Sequence, residues 1–354
     1  LSSGEALRLW CLTAGSGTIA FQSAVGDTNR LGAITVVTAA DVNVDSTLKA
    51  ANFTQQAGSG TTTFKNAINL DVGAVGDVLS LTNVKTVVFQ NAATVTTANG
   101  GNVSLDGTSA GTLTIGTGAM NLDGSFIEQQ FTTASTASNI TTTGDNITFG
   151  DATSLTGNVT LNTGAGVVGN VAFNNTLDSA AHSTLTITAG TGDVTLTGAV
   201  GGGANQLGGI TISNAHDVSA SSTVAAASLV QTTGSGTTTL THNVTTTAVA
   251  GIDITANAIA LGNNAGTTNI AANDGLVRFN GPATLLGNVA IDTTGGTVNA
   301  SDGSVQFTNT VNAEGAATDE TLSITAGLGD VTFSDMVGAT NRVGAISVTS
   351  VRDL

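Results

Sequence analysis

Residues 185–218 read LTITAGTGDVTLTGAVGGGANQLGGITISNAHDV, and residues 322–354 read LSITAGLGDVTFSDMVGATNRVGAISVTSVRDL. A third copy, LWCLTAGSGTIAFQSAVGDTNRLGAITVVTAADV, occupies residues 9–42. Thr-Ala-Gly aligns the three at Thr13, Thr188 and Thr325. The first two run on together: DVNVDSTLKAANFTQQAGSGTTTF (41–64) lies over DVSASSTVAAASLVQTTGSGTTTL (217–240), 176 residues apart. A lead-in is shared as well, since ITFGDATSLTGNV (147–159) resembles VRFNGPATLLGNV (277–289) at an offset of 130. The chain is thus read as a repeat protein. One continuous domain over 1–354 is expected, made of imperfect super-repeats at about 9–184, 185–321 and a partial 322–354.

A finer grain runs inside these copies. Gly190-Thr-Gly192 and Gly234-Ser-Gly236 recur 44 residues apart, and half of that is a natural length for one coil of a β-solenoid. Runs such as NVTLN, TLTIT, DVTLT, GITIS and NVAID alternate Val, Ile or Leu with Thr, Asp or Asn at period two. Gly, Asn, Asp and Ser punctuate them every few residues, as turns require. Nothing sustains a helical period. Strands this short suit a stack in which each unit covers the next and buries a continuous core. The expected fold class is all-β: a parallel β-helix, or β-solenoid, right-handed, with about 20–24 residues per coil and roughly 16 coils. A membrane β-barrel would want longer strands and aromatic girdles, whereas this chain has no Tyr and one Trp.

Composition narrows the function. Charged residues make up 9 % of the 354, against roughly 25 % in ordinary domains. Net charge is −16, from 8 Lys+Arg and 24 Asp+Glu. That balance lacks the basic footprint of a nucleic-acid binder and would be repelled by an anionic membrane. No apolar run is long enough for a membrane span, so no membrane insertion is expected. Cys11 cannot form an internal disulfide and is read as a small buried residue beside Trp10.

Few residues offer chemistry. Glycan-cleaving β-helices need two or three carboxylates at bond-cleaving distance, or a base beside a neutralised substrate acid. Arg30 and Arg342 share a repeat position where the second copy has Gln206, which suggests turn decoration. The chain is therefore not expected to be an enzyme, and no cofactor is expected. His182, His216 and His242 are scattered and read as exposed loop residues. His216 and Asp217 are adjacent, but strand neighbours point to opposite faces, and the same sparsity of histidines argues against a zinc set. Structural calcium is the most credible ion. The turns Gly144-Asp145-Asn146, Asn273-Asp274-Gly275 and Ser301-Asp302-Gly303 offer hard oxygen ligands, making Asp145, Asp274 and Asp302 the metal candidates. Thr-x-Thr strings would order water only if they formed one regular exposed array.

The repeated L-x-I-T-A-G-x-G-D-V-T-[LF] units at 185–196 and 322–333, with their Asn, Gly and Thr turns, resemble the β-solenoid regions of large bacterial surface proteins. These are the filamentous haemagglutinin-type adhesins and autotransporter passenger domains. The resemblance covers nearly the whole chain in style and carries no active-site motif. It implies export and a place at the cell surface as a stalk, fibre, filament or adhesin. The expected partners are other copies of the chain, by end-to-end or lateral association, and cell-surface glycans. The chain is expected to be a segment of a longer protein. Two alternatives stand beside this reading: a polysaccharide-binding or -cleaving β-helix, and an ice- or surface-binding protein.

Overall fold

A computed structural model describes residues 9–73, 75–296, 302–315 and 320–354. Regular structure among the described residues is entirely β-strand, and no helix is long and apolar enough to cross a membrane. The chain is a parallel β-solenoid of about 14 turns. It divides into two compact units, Leu1–Asn175 and Thr176–Leu354.

Each unit has three parallel ladders. In the first unit one ladder runs Ile34–Phe53–Leu79–Val103–Phe126–Ile147–Val171, one residue per coil. A second runs Phe21–Val44–Phe64–Phe89–Ile115–Thr136–Leu155. The third runs Leu48–Ile68–Val95–Met120–Ile140–Leu161. The second unit repeats the plan. Its ladders are Leu185–Ile210–Leu229–Ile252–Val277–Val305–Val331, Val194–Val218–Thr238–Ile259–Ala283–Val311–Val337 and Val200–Val224–Val244–Ile270–Ile291–Ile324–Val348.

Period two is what makes this work. Strand Leu31–Thr38 alternates half-buried and buried positions, as do Val159–Asn162 and Leu185–Thr188. Successive side chains leave a strand on opposite faces, so every second residue enters the interior. Like then meets like one coil up. Phe64 stacks on Phe89 at 4.9 Å, Phe149 on Phe173 at 5.0 Å and Phe307 on Phe333 at 5.3 Å between ring centroids. These spacings are close to the strand-to-strand repeat of about 4.8 Å, so backbone pairing and ring stacking reinforce each other.

Coil length varies more than the sequence suggests. Ile34 stacks on Phe53, 19 residues on, and Ala283 on Val311, 28 residues on. The longest coils take up extra residues at corners, which is why fewer turns form than a uniform 22 would give. Several strands serve two ladders, Leu48–Gln55 and Val224–Gln231 among them, and the two long ones, Gly76–Phe89 and Gly101–Ile115, bend around a corner to do so. Register slips at Asp106/Gly107 and Gly107/Thr112 mark that bend.

The expectation for Cys11 is overturned: the thiol is exposed. Cys11 pairs with Thr35, on the outward row, while Trp10 pairs with Ile34. The strand Trp10–Thr13 is poorly covered on both faces, Trp10 itself standing 37 % exposed, so apolar character buries neither residue. The outward row Thr35–Thr54–Ser80–Ser104 carries four hydroxyls and then meets Ile127 and Thr148.

Candidate functional site

The repeated words encode a corner. In all three copies a β-bulge falls at the aligned threonine, where Thr13 pairs with Thr38, Thr188 with Asn214 and Thr325 with Ser350. Two residues on, Gly15, Gly190 and Gly327 adopt φ of 58°, 62° and 58°, the left-handed region that L side chains avoid. The next glycine closes the turn: the N–H groups of Gly17, Gly192 and Gly329 donate to Ala14, Ala189 and Ala326 at 2.8, 2.8 and 2.7 Å. The carbonyls of the same three glycines accept from the following coil, from the N–H of Ala40, His216 and Arg352 at 2.8, 2.8 and 3.0 Å. One backbone corner is therefore built three times, with different side chains on it.

In the second copy the corner gathers Asp193, His216 and Asp217. Their ligand atoms all lie within 4.8 Å of one another. His216 Nδ1 stands 3.1 Å from Asp193 Oδ1 and 3.5 Å from Asp217 Oδ2. The side chains are about half exposed, at 46–50 %. Backbone holds both carboxylates: the Asp217 N–H donates to Asp193 Oδ1 at 3.1 Å and the Thr237 N–H to Asp217 Oδ1 at 2.6 Å. The strand rule that sends His216 and Asp217 to opposite faces does not apply, because both precede the strand Val218–Ala220 and sit in the corner itself. His182 and His242 are exposed in turns, as expected.

The other copies vary this corner. In the third, Arg352 bridges the equivalent carboxylates, with Nε 2.9 Å and Nη2 2.5 Å from the two oxygens of Asp330 and Nε 3.6 Å from Asp353. In the first, Thr18 replaces the first aspartate and Ala40 the cation, and Thr18 Oγ1 donates weakly to Asp41 Oδ2 at 3.5 Å.

The calcium candidates fall in three turns. Asp145 is half-buried, and its backbone carbonyl accepts from Thr142 Oγ1 at 2.5 Å. Asp274 has φ of 56°, a turn conformation that Asp tolerates, and its N–H donates to Thr293 at 3.1 Å. Asp302 is buried, and its Oδ2 accepts the Leu328 N–H of the next coil at 2.8 Å. Ser301 lies outside the described residues. What these aspartates visibly do is shape and join turns. Arg30 does similar work: its guanidinium donates to the carbonyls of Ala50 and Asn69, each at 2.8 Å, tying two successive coils.

Sequence reasoning missed a buried acid. Glu128, in Phe126–Gln129, shares the inward parity of Phe126 and is fully buried. Its Oε2 accepts the N–H groups of Gly150 and Asp151 at 3.0 and 3.3 Å, while Oε1 has no hydrogen-bond partner. Burial, and then the neighbouring Asp151 carboxyl, push its pKa up to about 8, so at neutral pH it is chiefly an uncharged acid. Burial and Asp151 also raise Asp106 on the preceding coil. The signal was legible: a Glu at an inward position of an alternating strand.

An open groove of about 520 Å³ lies in the second unit, walled by Asn263, Asn264, Gly266, Gly287 and Asn288. Glu320, 5 % exposed and with Oε2 unpaired, lines it too. No known protein family, curated protein or solved structure matches the chain.

Proposed function

We propose that the chain is a structural β-solenoid of the cell surface, exported and serving as part of a stalk, fibre or adhesin. The observation that carries this reading is the ladder itself: coil after coil pairs in parallel, with apolar residues in nearly every inward row. Such a backbone is its own scaffold and needs no ligand to hold it. The outward rows are mostly Thr, Ser, Asn and Ala with sparse charge, which leaves few groups to titrate or be screened by salt. The style of the repeats supports export and surface display.

An antibody against the chain, applied to intact cells that carry the gene, tests the reading. Labelling of unpermeabilised cells, removed by external protease, is the expected result. Signal seen only after permeabilisation would overturn surface display.

One observation favours a second reading, a glycan-binding solenoid. The groove holds Asn264 between Asn263 and Asn288, whose amides brace its walls through Thr241, Ala265 and Thr321, and beside the buried Glu320 carboxylate, a polar lining that suits sugar hydroxyls. Saturable binding of a neutral or acidic polysaccharide, lost in Asn264→Ala, would promote it.

A further inference from the structure

We propose that the corner formed by Asp193, His216 and Asp217 binds a divalent transition-metal ion, with Zn²⁺ as its natural probe. Each residue brings a different donor. His216 offers an imidazole nitrogen, and the two aspartates offer carboxylate oxygens, a mixed N/O set that suits zinc better than calcium. The spacing fits. Donors at about 2.0–2.1 Å from a tetrahedral zinc stand about 3.3–3.4 Å apart. Here the imidazole nitrogen lies 3.1 and 3.5 Å from its two carboxylate oxygens, the shorter contact being a hydrogen bond that an ion would replace, and all three donors lie within 4.8 Å of one another, so a small inward shift of the carboxylates completes the set. The three side chains are half exposed, so an ion can enter and keep water on its remaining positions.

The molecule supplies its own comparison. At the same corner of the third copy a cation already sits between two aspartates, the guanidinium of Arg352 between Asp330 and Asp353. The backbone that places it is the backbone that places His216, since the N–H of each donates to the equivalent glycine carbonyl. The corner is thus a seat for positive charge. In the second copy an imidazole takes the place of the fixed cation, and an imidazole is a metal ligand where a guanidinium is not. The carboxylates are oriented before any ion arrives, by the N–H groups of Asp217 and Thr237, as outer partners orient ligands in established metal sites. The first copy has neither the first aspartate nor the imidazole, and no site is expected there.

Titration calorimetry with ZnCl₂ on the full chain tests this, in a Cys11→Ser background that removes the exposed thiol. One equivalent is expected to bind. His216→Ala and Asp193→Asn are each expected to weaken binding by at least about tenfold. Arg352→His rebuilds the Asp-His-Asp set in the third copy and is expected to add a second equivalent. Zinc-induced shifts of the His216 ring signals in the unsubstituted chain report the same event without any change at the corner. Absence of one-to-one binding, unchanged affinity in His216→Ala, or shifts confined to His182 and His242 would overturn the site. A single equivalent in folded Arg352→His would overturn the equivalence of the two corners.

Discussion

Gly15 and Gly201 both adopt the left-handed conformation, at φ of 58° and 71°, yet they answer different demands. A Cβ on Gly15 would meet open space, whereas one on Gly201 would stand 1.9 Å from the Ala225 carbonyl oxygen of the next coil. Gly15→Ala should therefore cost about 1–2 kcal/mol, the left-handed penalty alone. Gly201→Ala must also push two coils apart, and the expected loss is larger, about 3 kcal/mol or more. Urea denaturation of the two variants checks the order, and equal losses would contradict the close approach. Glu128 gives a pH prediction. Its carboxyl, ordinarily near 4.5, is raised to about 8 by burial first and by Asp151 second. The folded chain then holds more protons than the unfolded chain between those values, so stability is greatest below the window and falls as pH rises through it. Glu128→Gln should flatten that fall, seen as a smaller loss of denaturation midpoint between pH 5 and pH 8 than in the unsubstituted chain. An unchanged slope would show that Glu128 is not the group responsible. Both residues were visible in the sequence as letters. Gly201 was legible as a turn, but its contact one coil away was not, because corner length sets which carbonyl it meets.

Among the strands, the alternating runs were the legible part. NVTLN became Val159–Asn162 and DVTLT became Val194–Leu196, with the apolar residues inward as period two requires. The corners were less legible. The second and third copies share their words, yet they lie on different faces. Leu185 lies on the ladder that ends in Val331, while Leu322, its aligned partner, pairs with Val289 and Ile346 on another face. The copies are offset by a length that is not a whole number of coils. The repeat thus specifies a strand, a bulge and a corner, and leaves the face to the running sum of corner lengths. His216 belongs to the same lesson: the strand rule fails at it because the strand begins only at Val218. The ring stacks make an element-level prediction. Phe149 is fully buried between Phe126 and Phe173, at 5.1 and 5.0 Å. Phe149→Ala should remove about 3–5 kcal/mol, since rigid coils above and below cannot close the gap. Phe21, the first of its row among the described residues and 8 % exposed, should cost less when truncated. Chemical denaturation of both variants decides, and a smaller loss for Phe149 than for Phe21 would contradict the stacked core.

For the whole molecule, the central claim is that each coil is the template of the next, in parallel and in register. The outward row Thr186–Thr211–Val230–Asp253–Arg278–Gln306–Thr332 in the second unit offers a ruler for it. Spin labels placed on Thr186→Cys and, in turn, on Arg278→Cys, Gln306→Cys and Thr332→Cys, in a Cys11→Ser background, span four, five and six coils. Pulsed electron–electron resonance should give distances rising by about 4.8 Å at each step, from about 19 Å upward beyond the common contribution of the label arms. Distances that fail to rise stepwise, or that shorten as the second label moves along the chain, would contradict the solenoid and the function proposed from it.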